Sequence, residues 1–282
     1  MQEWSLIIFT LLIQASVGIT LLTTFTLIYT NKRLNNEEQY RYALPAMLVA
    51  FAAGTLGLIV STAHLGYPLN AFHALRHVGS SWLSREIIFA SLYLGLLGLA
   101  TLIALFKKRI WIVLLLIASL LGIVDIFCMS AIYAHSSVVT WMHSNTYWMF
   151  YGAALGLGAI ACLWSFVIQP DLPSPLVRRV VVTVVIMVIA ITLCRLVAQP
   201  LYMNYLSTLG SSHIVTFPHQ PLAAFEELGR VRLASWLILI AGVSALVLCL
   251  RSHRINQGML ALGSVLLVVA EVSLRFSFFS IN

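Results

Sequence analysis

A histidine and a carboxylate stand at the edges of two apolar stretches in this sequence, and both are residue types that exchange protons. His64 ends the second apolar stretch of the chain, and Glu86 begins the third. Histidine titrates near neutral pH, and a partly buried carboxylate can relay protons. At an apolar–polar boundary the two can take protons from a lipid-soluble donor, and a crevice of Phe, Leu and Ile would hold a flat isoprenoid quinone ring. The predicted chemistry is quinol oxidation, with electrons leaving to an external acceptor.

The residues after His64 favour a fixed shape for the end of its helix. Gly66 and Pro68 are typical helix-stopping residues. Glu86 then returns to the same membrane depth at the start of the next helix. These spacings predict that His64 and Glu86 share one site.

The composition places this site in or beside a bilayer. The chain has 282 residues, of which 61% are hydrophobic and only 9% are charged, whereas soluble proteins carry roughly 25% charged residues. A water-soluble enzyme is therefore excluded. The net charge of +7 comes from cations that sit between apolar runs, which indicates orientation in a membrane rather than nucleic-acid binding. The four cysteines form no C-x-x-C pair, so no zinc site, iron–sulfur cluster or disulfide framework is predicted.

Eight apolar stretches are long enough to span a membrane, since a spanning helix needs about 20 such residues. They show no alternation of period two, which favours helices over a barrel. The predicted fold is an all-α bundle of eight transmembrane helices in a single domain, residues 1–282. The predicted spans are Leu6–Tyr29, Leu44–Ala63, Ile87–Phe106, Ile110–Tyr133, Tyr147–Ile168, Val180–Val197, Leu233–Leu250 and Met259–Phe279.

Basic residues predict the orientation of the bundle. An eight-span chain has both termini on one face of the membrane, called side A here, and the opposite face is side B. Ten of the 16 lysines and arginines lie in side B segments and four in side A loops. The positive-inside rule then predicts that both termini are outside the cytoplasm, in the periplasm.

The two long loops are both on side A, over Leu65–Arg85 and Ala198–Arg230. The first has apolar residues at steps of three between Leu69 and Val78, which predicts a short helix in the membrane interface. The second predicts a short helix near Ala223–Leu228. Long loops on one face indicate that the partner or the site is there, although two solvated connectors would give the same pattern.

Four further ionisable residues lie in the side A halves of spans, where each costs several kcal/mol unless it has a partner. Glu271 and Arg275 are four residues apart, so we expect them to pair on one helix face. Arg195 is expected to extend towards the side A surface. Asp125 is expected to pair with Arg195 or Arg275. Their roles are open at this point.

Two other functions compete with quinol oxidation. A haem b cytochrome needs two histidines that face each other from separate helices, yet no histidine lies in the middle of a span. A secondary transporter usually has polar groups near the midplane beside broken helices, whereas the groups here lean to side A. Both alternatives are disfavoured, and the transporter stays open. Since the sequence has neither metal-binding cysteines nor a nucleotide motif, the chain by itself cannot carry electrons far and is expected to need a redox partner.

The segment around the first long loop resembles a known family, the membrane anchor subunit of bacterial dimethyl sulfoxide reductase. The residues that carry the resemblance are His64-Leu65-Gly66-Tyr67-Pro68, Ala71-Phe72, Leu75, Val78-Gly79, Ser81, Leu83-Ser84 and Glu86-Ile87. The N-terminal Glu3-Trp4-Ser5-Leu6 and a Glu-x-x-x-Arg element at Glu271 and Arg275 are also similar to that family.

The resemblance implies a heterotrimer in the bacterial inner membrane, in which this chain holds an iron–sulfur subunit and a molybdopterin catalytic subunit. It implies that the anchor binds menaquinol and carries neither haem nor metal, with His64 and Glu86 as the reacting residues. Gly66, Pro68 and Phe72 complete the implied quinol site. Related anchors serve other molybdoenzymes, such as polysulfide reductase, so the terminal acceptor stays open. The iron–sulfur cluster of the partner must lie close to the quinol site to receive its electrons, which favours docking of the partner on side A.

Overall fold

The computed structural model describes residues 2–62, 75–209, 218–252 and 254–280. The predicted site residues His64, Gly66, Pro68 and Phe72 lie outside these ranges, and their roles stay predictions. Glu86 lies inside them.

Nine α-helices make up most of the described part, and eight of them are long and apolar enough to cross a membrane. This confirms the all-α, eight-span prediction. The single-domain assignment and the periplasmic position of both termini stay predictions. The helices are α1 (Gln2–Thr30), α2 (Asn36–Thr62), α3 (Trp82–Lys107), α4 (Ile112–Ala134), α5 (Asn145–Val167), α6 (Ser174–Leu209), α7 (Pro221–Glu227), α8 (Gly229–Leu248) and α9 (Gln257–Phe279).

Helix α2 begins eight residues before the predicted span, at Asn36 instead of Leu44. The reason is a reciprocal cap just before it. The side chain of Asn35 accepts a hydrogen bond from the Glu38 amide at 2.9 Å, and the Glu38 carboxylate accepts one from the Asn35 amide at 2.8 Å. Such a box satisfies amides that the first helical turn leaves free, so the polar segment is helical too.

Helix α6 differs most from its prediction, because it continues twelve residues past Val197 and passes through Pro200. Its 36 residues span about 54 Å, whereas the hydrocarbon core is about 30 Å thick. The segment predicted as the start of a loop is therefore helix. It is held by Tyr202 and Leu206, which pack on Phe225 of α7. Helix α7 confirms the short helix predicted near Ala223–Leu228.

The other loop contains a 3-10 helix at Leu75–His77. It lies within the segment where an interfacial helix is predicted, and residues 65–74 of that segment are outside the described part of the chain. The predicted loop ends at Arg85, but α3 already begins at Trp82.

Helix α1 is the centre of the bundle and contacts α2, α4, α5 and α9. Its closest approach is to α5, where two glycines meet. A Cβ atom on Gly18 would lie 1.8 Å from the carbonyl oxygen of Ala154, and one on Gly158 would lie 2.2 Å from the Gly18 carbonyl carbon. Only glycine fits at these positions, as is common where membrane helices pack backbone to backbone.

Hydroxyl groups join α1 to its neighbours. Ser16 donates to the carbonyl of Ala50 at 2.7 Å, and the hydroxyls of Ser16 and Thr20 lie 2.7 and 2.9 Å from the Tyr93 hydroxyl. Interhelical hydrogen bonds of this kind stabilise membrane bundles, where water is not available as a partner. They hold α3 against α1 and so set the position of the carboxylates described next.

Candidate functional site: two buried carboxyl groups

Glu86 is held just inside the side A end of α3. Ser81 caps this helix by accepting a hydrogen bond from the Ser84 amide at 3.4 Å. Glu86 is the fifth residue of the helix, about 6 Å below its start. The residue is 4% exposed, and its Oε1 atom has no hydrogen-bond partner within the described part of the chain.

The adjacent cation does not neutralise Glu86. Arg85 donates from Nε to the carbonyl of Val78 at 2.9 Å and from Nη2 to that of Gly79 at 2.7 Å. Its guanidinium also lies 4.3 Å from the ring centroid of Trp82. Arg85 therefore fastens the preceding turn to the start of α3 and forms no salt bridge with Glu86.

Asp125 on α4 is the second carboxyl group of the site. It is fully buried, and neither of its oxygens has a hydrogen-bond partner among the described residues. It lies within electrostatic range of Glu86. The prediction that it pairs with Arg195 or Arg275 is wrong, because both of those cations contact other groups.

The two carboxyl groups lie at different depths in the bundle. Asp125 is nine residues before the end of α4, about 14 Å along the axis from that end, so it is deeper in the bundle than Glu86. Tyr93 and Cys128 interact electrostatically with it. The sequence signal for this pair is that the short connection between α3 and α4 makes the helices antiparallel neighbours, with one acid in the side A half of each.

An aromatic cluster lies at the side A ends of α3, α4 and α5. The Trp82 ring is 5.4 Å from that of His135 and 5.8 Å from that of Phe127, measured between centroids. Phe127 in turn lies 5.3 Å from Tyr147. Flat apolar faces therefore lie on the same helices as the carboxyl pair, the kind of surface that binds planar rings.

The other buried acid of the spans has a full set of partners. Glu271 of α9 accepts hydrogen bonds from Nη1 and Nη2 of Arg195 at 2.5 and 3.2 Å, and both side chains are almost completely buried. The expectation that Arg195 reaches the surface is wrong. Gly152 of α5 makes room for it, since a Cβ there would lie 2.2 Å from Arg195 Cδ.

Arg275 does not pair with Glu271, contrary to the prediction from their spacing. Its Nη2 donates to the side-chain oxygen of Gln14 at 2.6 Å, and its guanidinium lies 3.8 Å from the Phe150 ring centroid. The reason is geometric. Both oxygens of Glu271 face the fork of Arg195 on α6, whereas Arg275, one turn along α9, faces α1 and α5.

The fold and the buried charges define a polytopic membrane protein whose buried charged residues, among those described, are concentrated towards one face. A model of the family described as "DMSO reductase anchor subunit (DmsC)" matches residues 1–281. The chain belongs to this family, which confirms the resemblance seen around the first long loop.

Three relatives agree with this assignment. The anaerobic dimethyl sulfoxide reductase C subunit of Haemophilus influenzae is 33% identical over 174 residues, a match that covers 60% of each protein. The anaerobic dimethyl sulfoxide reductase subunit YnfH of Escherichia coli is 26% identical over the full length of this sequence and 95% of its own. The C subunit of Escherichia coli is 29% identical over 147 residues, about half of each protein.

Proposed function

We propose that this chain is the menaquinol-oxidising membrane anchor of an anaerobic dimethyl sulfoxide reductase. It sits in the bacterial inner membrane with both termini in the periplasm. An iron–sulfur subunit docks on side A and passes electrons to a molybdopterin catalytic subunit. The observation that carries the proposal is the carboxyl pair Glu86 and Asp125, with three of its four oxygens buried without a hydrogen-bond partner in the described part of the chain.

A buried acid without a partner is costly, so its presence in a bundle this apolar needs a functional reason. Membrane proteins use such groups as proton relays. Two carboxyl groups in electrostatic range resist ionising together, and each can therefore hold or release a proton as its neighbour changes state. This is the property that a quinol site requires.

In the proposed reaction, menaquinol enters laterally from the bilayer and becomes menaquinone, losing two electrons and two protons. His64 accepts a proton from one hydroxyl group, and Glu86 orients the ring or relays the second proton to side A. Both electrons pass to the iron–sulfur partner. Because the protons leave and the electrons depart on the same face, the anchor alone moves no net charge across the membrane.

The decisive experiment is His64→Leu in membranes from anaerobically grown cells. Menaquinol oxidation coupled to dimethyl sulfoxide reduction should be abolished, while copurification of the partner subunits is retained. His219, a histidine of the other side A loop, is the matched control as His219→Leu. Normal turnover in His64→Leu would remove this histidine from the mechanism.

Two measurements separate the competing functions. The purified complex should show no reduced b-type absorbance assigned to this chain, and such a spectrum would favour the cytochrome. The chain alone in vesicles should move no solute, and flux without a redox partner would favour a transporter.

A further inference from the structure

A small cavity that contains a few polar groups lies at side A, on a different set of helices from the carboxyl pair. Residues of α5, α6, α7, α8 and α9 line it, and its volume is about 20 Å³. This holds one or two atoms of the size of a water oxygen and is far too small for a quinone ring. Its lining includes Arg232 and Thr140 and has no aspartate or glutamate among the described residues.

Arg232 brings a positive charge to this cavity that no described carboxylate balances. The side chain is 8% exposed. Its Nη1 donates to the carbonyl of Phe225 at 2.6 Å, and the guanidinium lies 3.4 Å from the Phe225 ring centroid. Its Nη2 has no hydrogen-bond partner in the described part of the chain. A buried, unpaired charge is among the most costly features a protein can hold.

A second unpartnered donor borders the same space. Thr140 is 1% exposed and its hydroxyl lacks a partner among the described residues, whereas its carbonyl accepts from Tyr202 at 2.6 Å. Asn145, which begins α5, is also on the wall, and the N-terminus of a long helix favours negative charge.

His143 adds no cation at neutral pH. Burial lowers its pKa below the usual value, and its Nδ1 accepts a hydrogen bond from the Asn145 amide at 3.1 Å. The positive charge beside the cavity is therefore that of Arg232. Water would satisfy the free donors but would leave this charge uncompensated.

We propose that the cavity binds one small anion, of the size of chloride or a single carboxylate group, through Arg232 Nη2 and the Thr140 hydroxyl. The anion has two possible sources that share this chemistry. One is a free ion from the periplasm. The other is an acidic side chain of the subunit that docks on side A, and this source rests on the proposed function.

The first test uses the purified full-length chain in detergent and follows its thermal unfolding. Replacing gluconate with chloride or formate at constant ionic strength should raise the unfolding temperature of the unmodified chain. Arg232→Gln should lose this response, and Arg232→Lys should keep part of it. Arg230→Gln is the matched control, because Arg230 lies exposed two residues away, and its response should be unchanged.

Thr140→Val keeps the shape of the side chain and tests the same site independently, in case Arg232→Gln fails to fold. It should weaken the apparent anion affinity by about tenfold, as expected for one lost hydrogen bond to a charged group. An unmodified chain that responds to neither anion, or a response that survives in Arg232→Gln, would overturn the proposal.

The second test identifies the source with the assembled complex. If the anion is free, chloride and formate stabilise the complex as they stabilise the chain, and Arg232→Gln still copurifies with its partners. If a partner carboxylate occupies the cavity, the complex is insensitive to added anion, and Arg232→Gln loses the partners while Arg230→Gln keeps them. If His64→Leu left quinol oxidation unchanged, the proposed function would fail, but the anion response of the purified chain would be unaffected.

Discussion

The two acidic regions inside this bundle are built in opposite ways. Glu271 gives both oxygens to the fork of Arg195, and a glycine on α5 clears the space that the arginine fills. Glu86 and Asp125 have each other in range and no hydrogen bond to three of their four oxygens from the described residues. The first arrangement suits a structural joint, and the second suits a group that changes its protonation state.

The largest effect on stability is expected when one partner of the Arg195–Glu271 ion pair is removed. Arg195→Met should destabilise the bundle by about 3–5 kcal/mol, because Glu271 is left as an uncompensated buried charge. The measurement is the level of folded chain in the membrane and its thermal unfolding in detergent. Replacing both residues with methionine should recover most of the loss, and a double variant as unstable as the single one would contradict the pairing.

Replacing an ionisable side chain with a neutral one should affect activity rather than stability in the carboxyl pair. Glu86→Gln should leave the chain folded but slow menaquinol oxidation by about 100-fold, the usual contribution of a positioned proton acceptor. Turnover in isolated membranes measures this effect. Glu226→Gln on the exposed face of α7 is the control. Equal rates of menaquinol oxidation in the two variants would show that Glu86 has no part in the reaction.

A smaller effect is expected from the glycine beside the joint. Gly152→Ala places a methyl group 2.2 Å from the current position of Arg195 Cδ, and overpacking of this kind costs about 1–3 kcal/mol. Gly156→Ala on the same helix meets its nearest atom, Glu271 Oε1, at an ordinary 3.5 Å. Its unfolding temperature should exceed that of Gly152→Ala, and the reverse order would argue against a tightly fitted arginine.

The smallest change in stability is expected at the deeper acid. Asp125→Asn removes no ion pair, so unfolding should shift by less than about 1 kcal/mol, while menaquinol oxidation falls by about tenfold if Asp125 assists Glu86. Thermal unfolding and turnover on one preparation test both statements. A large loss of stability with normal turnover would make Asp125 structural and end the contrast between the two regions.

The pairing of these charges shows which parts of the molecule could be predicted from sequence. The eight spans are predictable because lipid demands about 20 apolar residues in a helix with internally satisfied backbone groups. The position of Glu86 followed from its place beside a span. The prediction that Glu271 and Arg275 pair with each other was wrong. The rotation of α9 against its neighbours decides which side chains meet, and a four-residue spacing does not reveal that rotation.

The overhang of α6 was missed for a related reason. Pro200 is a strong signal for the end of a helix, but α7 packs on the protruding turns through Phe225, and tertiary contact outweighs the local signal. The cavity beside Arg232 depends on this packing, so it was equally out of reach of the sequence.

The distribution of cations and acids in the bundle has one more consequence. Apart from Arg232, the buried lysine, arginine, aspartate and glutamate side chains that the structure describes are Arg195, Arg275, Glu271, Glu86 and Asp125. Two permanent positive charges face three acids, one of which is committed to Arg195. The remaining two, Glu86 and Asp125, form no ion pair among the described residues, so a medium of low dielectric constant disfavours their ionisation.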